Sequence, residues 1–235
     1  MKTIMVTGAD RGLGYALCKK LLEDNFRVIA GQYMEEWKEL DILKHEYGDK
    51  LFLVRLDIGD MNIVRAAAEE AEEYTDSIDI LINCAGIDGE IRDIRDGYDY
   101  HTMLRTIDVN ALGAIRMTEA FLPLLDKGTD KKICCVSSEA GSIGNCWRID
   151  ETGYCMSKAA LNVGMAVLYN RLRPEGYDIR LYHPGWMNTY MMGAREEHAD
   201  LEPEKAAELA LNSFFRERKE ESLLLESYDG SVIPW

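Results

Sequence analysis

Short apolar segments rich in β-branched residues alternate with longer segments of helical periodicity along this chain of 235 residues. Alternation of this kind predicts parallel strands joined by helices that cover both faces of a sheet. We predict about seven strands, at Thr3–Thr7, Arg27–Gly31, Leu51–Leu56, Ile78–Asn83, Lys132–Ser137, Ile179–His183 and Leu223–Leu225. Helices are predicted at Leu13–Asp24, Met34–Tyr47, Met61–Tyr74, Met103–Leu125, Gly153–Arg173 and Glu204–Arg218.

The predicted strands are continuous apolar runs, which is typical of strands that are buried on both faces. The sequence contains no repeat, linker or low-complexity segment. We therefore expect one α/β domain over residues 1–235, a doubly wound parallel sheet of the Rossmann type with helices on both faces. In such a sheet ligands bind beyond the carboxyl ends of the strands, so the residues that follow each strand are the candidates for function.

Charge and composition exclude several classes of partner. The net charge of −15 argues against binding to nucleic acid or to anionic membrane surfaces. No apolar run approaches the ~20 residues that span a bilayer, and the apolar run at the start is too short for a signal peptide. The six cysteines show neither a C-x-x-C pair nor zinc spacing, so we expect reduced thiols, no metal site and a cytoplasmic location.

A glycine-rich turn follows the first predicted strand, in the segment Thr7-Gly8-Ala9-Asp10-Arg11-Gly12-Leu13-Gly14. Glycine permits a tight turn and a close approach of the backbone to a phosphate. The helix that follows offers unpaired N–H groups and the positive end of its dipole to a pyrophosphate. The sequence therefore predicts a dinucleotide site at this turn.

Tyr154 stands four residues before Lys158, so the two side chains share one face of a predicted helix. A nearby ammonium favours the phenolate, and we expect it to lower the pKa of the tyrosine. A tyrosine tuned in this way can exchange a proton with a carbonyl oxygen or a hydroxyl. Tyr15 and Lys19 have the same spacing, but we interpret them as a surface pair on the first helix.

The remaining strand ends carry further motifs. They are Asn83-Cys84-Ala85-Gly86, Asp108-Val109-Asn110-Ala111, Val136-Ser137-Ser138 and Pro184-Gly185-Trp186-Met187-Asn188-Thr189. In this order, and with the glycine turn and Tyr154–Lys158, they resemble the motifs of the short-chain dehydrogenase/reductase family over essentially the whole chain. Cys84 departs from the usual second Asn. The segments Gly141-Ser142-Ile143 and Asp229–Trp235 are similar to the C-factor/sniffer-type carbonyl reductase branch.

The resemblance implies hydride transfer between a nicotinamide cofactor and a carbonyl or secondary alcohol substrate. Tyr154 would be the general acid/base, and Lys158 would tune it and hold the nicotinamide ribose. Ser138 would bind the substrate oxygen, and Asn110 would hold a water that connects Lys158 to solvent. The chain between Ser138 and Tyr154 is longer than in many members, with the extra residues in Gly144–Thr152. Were this loop to displace Ser138, then Ser137 or Ser142 would take its place.

The resemblance also implies a set of cofactor-binding residues. They are Gly8, Arg11, Gly12, Leu13, Asp57, Asn83, Ala85, Gly86, Tyr154, Lys158, Pro184, Gly185 and Thr189. An acid at the end of the second strand would favour NAD(H), but Gln32 and Tyr33 stand there. Family members that prefer NADP(H) often carry a basic residue in the glycine turn, where Arg11 stands here, so the resemblance favours NADP(H), with NAD(H) as the alternative.

Substrate identity is not readable from the sequence. The candidate pocket residues are Ile87, Asp88, Gly144, Trp147, Trp186, Tyr190, Met191 and Met192, and Tyr190–Leu201 is a candidate lid. The resemblance implies a homodimer or homotetramer formed through the helices Met103–Leu125 and Gly153–Arg173. Two other functions stay open: a cofactor-binding regulatory or signalling protein with little turnover, and an epimerase or dehydratase acting on a nucleotide sugar.

Overall fold

The computed structural model describes residues 1–191, 193, 196, 198–217 and 222–235. Within these residues, eight strands form one sheet in the order β3-β2-β1-β4-β5-β6-β7-β8. The strands are β1 (Thr3–Val6), β2 (Arg27–Gln32), β3 (Leu51–Arg55), β4 (Ile80–Asn83), β5 (Lys132–Val136), β6 (Asp178–His183), β7 (Leu225–Ser227) and β8 (Val232–Ile233).

Neighbouring strands from β3 to β7 are parallel, and β8 pairs antiparallel with β7. Strand β1 lies between β2 and β4, with Ile4 opposite Val28 on one side and Ile80 on the other. The order of strands therefore reverses between β1 and β4, which opens a crevice at their carboxyl ends. The predicted doubly wound parallel sheet is confirmed.

Helices cover both faces of this sheet. They are α1 (Gly12–Glu23), α2 (Glu39–Tyr47), α3 (Met61–Glu72), α4 (Tyr100–Ile107), α5 (Gly113–Asp126), α6 (Thr152–Leu172) and α7 (Pro203–Phe215). Successive side chains of a strand point to opposite faces of the sheet, so alternate residues pack into two separate apolar cores. Met5 packs with Phe121 and Leu161 on the side of α3, α5 and α6, whereas Ile4 packs with Phe214 on the side of α1, α2 and α7.

Two helix predictions differ from the structure. Helix α2 begins at Glu39 rather than Met34, because the backbone N–H groups of Tyr33 and Met34 donate to the Asp10 carboxylate, each at 3.0 Å. The predicted helix Met103–Leu125 is divided by a π-helical turn over Asp108–Leu112. A π turn inserts one extra residue into a helix, and such turns are frequent at functional sites.

The chain's last segment also differs from prediction. The predicted strand Leu223–Leu225 lies at Leu225–Ser227, and the antiparallel strand β8 was not predicted. Helix α7 ends at Phe215, while Arg218, the predicted end, lies outside the described residues. Among the described helices, none has the length and apolar character needed to cross a membrane.

Candidate active site

The glycine turn between β1 and α1 has a backbone that only glycine fits. Gly8 has a φ of +64°, and a Cβ atom there would lie 2.7 Å from the Cα of Ala85. A Cβ atom at Gly14 would lie 2.0 Å from the carbonyl oxygen of Gly8. The first contact brings the turn against the end of β4, and the second seats α1 against the turn. The predicted turn therefore forms at the crevice of the sheet.

Thr7 joins the same two segments through hydrogen bonds. Its Oγ1 accepts from the backbone N–H of Cys84 at 3.0 Å and of Ala85 at 2.9 Å. Asn83, at the end of β4, donates to the Cys135 sulfur at 3.6 Å. Its buried Oδ1 finds no hydrogen-bond partner among the described residues, which leaves a strong acceptor available at the crevice.

The other predicted cofactor residues near the turn play different parts. The Arg11 guanidinium lies over the Trp37 ring, 5.2 Å from its centroid. Leu13 is buried in the core beside α1, so only its backbone can face a ligand. Asp57, after β3, accepts from the backbone N–H of Gly59 at 2.8 Å.

The segment after β6 approaches the glycine turn from the opposite side of the crevice. A Cβ atom at Gly12 would lie 3.3 Å from Cγ2 of Thr189. Gly185 has a φ of +82° and follows the buried Pro184. Tyr190 lies with its ring centroid 5.2 Å from that of Trp37. The structure therefore brings the segments after β1, β2, β4 and β6 together at one edge.

Tyr154 and Lys158 lie in the first two turns of α6, at this edge. The Lys158 side chain is buried, and its Nζ donates to the carbonyl oxygen of Val136 at 3.0 Å. The same Nζ lies 5.7 Å from the centroid of the Tyr154 ring. A Cβ atom at Gly86 would lie 3.7 Å from this Nζ, so the end of β4 contacts the pair.

The charges of this pair differ from the prediction. Burial raises the pKa of Tyr154 to about 12, and the carboxylates of Asp88 and Glu139 add to the rise. Burial also lowers the pKa of Lys158 to about 8. The expected lowering of the tyrosine pKa by the ammonium is therefore wrong for this structure, because loss of water disfavours the charged form of both groups.

Ser138 lies between Tyr154 and an acidic neighbour. Its Oγ donates to Glu139 Oε2 at 2.6 Å and accepts from the backbone N–H of Ala140 at 3.1 Å. A hydrogen bond with Ser138 opposes the rise in the pKa of Tyr154. The alternative serines are engaged elsewhere: Ser137 donates to Asn162 at 2.6 Å, and Ser142 donates to the Pro234 carbonyl at 2.5 Å.

Asn110 lies in the π turn and is buried. Its Oδ1 accepts from the backbone N–H of Ile87 at 2.8 Å, while its Nδ2 donates to the Ile87 carbonyl at 2.8 Å and to Ser157 Oγ at 2.9 Å. Both hydrogens of the amide are therefore used within the protein. The side chain fastens the segment after β4 to α6.

The long loop between Ser138 and Tyr154 contacts the C-terminal segment of the chain and folds back on itself. The backbone N–H of Gly144 donates to the Trp235 carbonyl at 2.8 Å. Arg148 Nη2 donates to Glu139 Oε1 at 2.6 Å. The segments Gly141-Ser142-Ile143 and Asp229–Trp235, which resemble the carbonyl reductase branch, therefore lie together.

The predicted pocket residues differ in their exposure. Trp147 and Trp186 are exposed, at 70% and 54% of their surface, and Met191 is also exposed. Ile87 and Asp88 are partly buried at the crevice, and Met192 lies outside the described residues. A cavity of about 600 Å³ lies further out, lined by Ile91, Arg92, Asp93, Asp96, Ile149 and Asp150.

Three side chains at the site were missed in the sequence. Glu139 and Arg148 contact the Ser138 end of the long loop, and Asp10 joins the glycine turn to the segment after β2. Two of them carry a signal in the sequence, because Glu139 directly follows the motif residue Ser138 and Asp10 lies within the glycine turn. Sequence spacing does not reveal that Arg148 returns to Glu139.

Comparison with known proteins agrees with this arrangement. Residues 2–200 match the family model described as short chain dehydrogenase. The chain is 37% identical to C-signal of Myxococcus xanthus over 161 residues, which cover 68% of this chain and 95% of that protein.

Two solved structures are similar over their full length. The NADPH-bound carbonyl reductase from chicken fatty liver has a TM-score of 0.90 and 27% identity, covering 100% of this chain and 99% of that chain. The carbonyl reductase Sniffer of D. melanogaster has a TM-score of 0.90 and 26% identity, covering 100% of both chains. With the glycine turn, Ser138, Tyr154 and Lys158 at one edge of a doubly wound sheet, this chain belongs to the short chain dehydrogenase family.

Proposed function

We propose that this protein is an oxidoreductase that transfers a hydride between NADP(H) and a carbonyl or secondary alcohol substrate. One observation carries the proposal: Ser138, Tyr154 and Lys158 converge beside the glycine turn and the end of β4. A protein that only bound a dinucleotide would need the turn but not a buried lysine beside a tyrosine and a serine.

The bound nicotinamide would supply or accept the hydride, and the protein would move the proton. With a pKa of about 12, Tyr154 stays protonated at neutral pH and can act as a general acid towards a carbonyl oxygen. Ser138, once its hydroxyl turns from Glu139 to the substrate, would stabilise the charge that develops on that oxygen. Lys158, with a pKa of about 8, would hold the nicotinamide ribose and return a proton to Tyr154.

The residues at the crevice fit a dinucleotide. The backbone at Gly8 and Gly12 has positive φ and carries no side chain that would fill the turn. The N-terminus of the twelve-residue helix α1 follows it directly, as a pyrophosphate requires. The unpaired Oδ1 of Asn83 offers an acceptor for a ribose hydroxyl. Gly185 and Thr189 would contact the carboxamide group of the nicotinamide.

NADP(H) is preferred over NAD(H) on two grounds. The similar carbonyl reductase from chicken fatty liver binds NADPH. In this chain, Arg11 supplies a positive charge in the turn, held over Trp37. Replacing Arg11 by Met should weaken NADPH about tenfold, the cost of one charge-assisted hydrogen bond, with little effect on NADH. Lys19→Met, on the exposed side of α1, is the matched control.

The test follows absorbance of NADPH and NADH with aldehydes, diketones, quinones and keto-steroids. We expect substrate-dependent oxidation of NADPH that is lost in Tyr154→Phe by about 10²–10⁴-fold, with NADPH affinity unchanged. Tyr15→Phe, which removes a hydroxyl from a tyrosine with the same lysine spacing, should retain full activity. Equal activity in both variants would refute the role of Tyr154.

A regulatory or signalling protein with little turnover is the second candidate, favoured by the 37% identity to C-signal. Such a protein would bind NADPH tightly, turn over none of the panel, and lose nothing on replacement of Tyr154. Under either function we place the protein in the cytoplasm, where its six free cysteines stay reduced.

A further inference from the structure

The hydrogen of the Ser138 hydroxyl is already committed to a protein acceptor. Ser138 Oγ donates to Glu139 Oε2 at 2.6 Å, a short distance for such a bond. A hydroxyl carries one hydrogen, so while this bond holds Ser138 offers Tyr154 only a lone pair. The hydrogen bond through which Ser138 lowers the pKa of Tyr154 is one in which the serine donates, so Glu139 competes with Tyr154 for the single serine hydrogen.

Glu139 is itself held as a carboxylate. Burial alone would raise its pKa, but the hydrogen bonds from Ser138 and Arg148 outweigh burial and lower it. His183 Nδ1 accepts from the backbone N–H of Glu139 at 3.3 Å, and burial lowers the pKa of this imidazole. His183 Nδ1 also lies 3.3 Å from Glu139 Oε2, and the Arg148 guanidinium is the other charged neighbour of this carboxylate.

Arg148 joins the two ends of the long loop. Its Nη2 donates to Glu139 at 2.6 Å, next to Ser138. Its Nη1 pairs with Glu151, the N-cap residue of α6, which stands three positions before Tyr154. Both arginine contacts are mostly buried, with about a fifth of each side chain exposed, and such pairs are stronger than surface pairs.

We propose that Glu139 and Arg148 are a pair of positioning residues for the reaction, in which Glu139 fixes the direction of the Ser138 hydroxyl and Arg148 sets how strongly it does so. The inference rests on the proposed oxidoreductase function and deepens it. It also gives a role to the extra residues 144–152, because they place Arg148 against Glu139, next to Ser138.

The two residues act on Tyr154 in opposite directions. Glu139 raises the pKa of the tyrosine and Arg148 lowers it. The other charged groups that face Tyr154 are Asp88 after β4 and Lys158 on its own helix. Neutralising Glu139 releases the serine hydrogen towards Tyr154 and favours the phenolate. Neutralising Arg148 makes Glu139 a stronger acceptor for the serine hydrogen and therefore disfavours the phenolate of Tyr154.

The experiment measures kcat/KM for oxidation of the alcohol product of the best panel substrate with NADP⁺, between pH 7 and pH 10. Oxidation needs the phenolate, so below the tyrosine pKa the rate at fixed pH follows the phenolate fraction. Glu139→Gln should raise kcat/KM, and Arg148→Met should lower it, by about three- to tenfold each. Arg148→Lys, which keeps the charge, should restore most of the loss.

Two controls separate positioning from damage to the fold. Arg95→Met removes an exposed arginine that pairs with Asp93, and it should leave the profile unchanged. In the double variant of Glu139→Gln with Arg148→Met, the arginine change should cause a smaller loss than it causes in the wild type, because only its direct charge effect on Tyr154 remains. Hydrogen exchange of residues 144–152 should remain slow in Glu139→Gln.

Shifts of the same sign in both single variants, or profiles identical to the wild type, would overturn the pairing. These results are distinct from failure of the proposed function itself. If Tyr154→Phe is inactive while the Glu139 and Arg148 variants match the wild type, the oxidoreductase assignment stands and the positioning role does not. If Tyr154→Phe is fully active, both are wrong.

Discussion

Asn110 donates a hydrogen bond of 2.9 Å to Ser157, which ties the π turn between α4 and α5 to the residue that precedes Lys158. The same amide exchanges two hydrogen bonds of 2.8 Å with the backbone of Ile87. One buried side chain thus links three segments of the active site.

Asn110→Ala should lower the free energy of unfolding by about 1–3 kcal/mol, because it leaves partly buried backbone groups of Ile87 unpaired. Urea denaturation measures the loss. Asn62→Ala, at an exposed position of α3, is the control and should change stability by less than about 0.5 kcal/mol. A loss no larger than that of the control would show that the linkage is unimportant.

Lys158 should destabilise the protein at neutral pH. Its pKa is lowered from 10.5 to about 8 by burial, which corresponds to on the order of 3 kcal/mol at most. Because the unfolded chain binds more protons between these two values, wild-type stability should rise with pH through this window. Lys158→Met should therefore be more stable than the wild type at pH 7, although under the proposed function it should be inactive.

Urea denaturation of both proteins at pH 7 and pH 10 tests this sign. The advantage of the variant should shrink at pH 10, where Lys158 is neutral in the folded protein. Lys19→Met, on the surface of α1, should show no such change. An equal difference at both pH values would mean that the lysine is not desolvated.

Gly8→Ala should lower the free energy of unfolding by more than backbone strain at this position alone would explain. A positive φ costs an alanine about 1–2 kcal/mol, and the contact of 2.7 Å with the Ala85 backbone adds about 1–3 kcal/mol of overpacking. Gly48→Ala is a matched control, since Gly48 has a φ of +54° and no described atom within 4 Å. Unfolding and NADPH titration should both separate the two variants.

An exposed apolar stripe on α6 should mediate self-association. Met156, Val163 and Val167 are 48%, 63% and 63% exposed, and Leu104 on α4 is 67% exposed. Surfaces of this kind mark interaction sites. We expect a homodimer or homotetramer by sedimentation, and a monomer when Val163 and Val167 are both replaced by Glu. Val232→Glu, on β8, should leave the oligomer intact. A monomeric wild type would contradict the expectation.

The parallel sheet could be predicted from the sequence because each buried strand is a continuous apolar run. Local signals were insufficient where a distant side chain decides the backbone. The Asp10 carboxylate accepts hydrogen bonds from the backbone N–H groups of Tyr33 and Met34, and α2 therefore begins only at Glu39. Strand β8 has two residues, Val232 and Ile233, too few to show a period.

The sequence motifs place the candidate site residues at the strand ends, but they do not reveal the protonation state of those residues. We expected the Lys158 ammonium to lower the pKa of Tyr154, but a spacing of four residues says nothing about burial. The loss of solvent raises one pKa and lowers the other. Likewise, the link from Arg148 to Glu139 depends on how the long loop folds back, which has no periodic signature in the sequence.

The hydrogen bonds from Cys84 and Ala85 to Thr7 also have a consequence for how the protein folds. Cys84 and Thr7 are 77 residues apart, so the two halves of the site meet only when a long loop closes. Contacts of such sequence separation form slowly. A chain in which β1 has not yet paired with β4 lacks the contacts between the glycine turn and the segment after β4. The rate at which NADPH binding returns during refolding should therefore report the rate at which β1 pairs with β4.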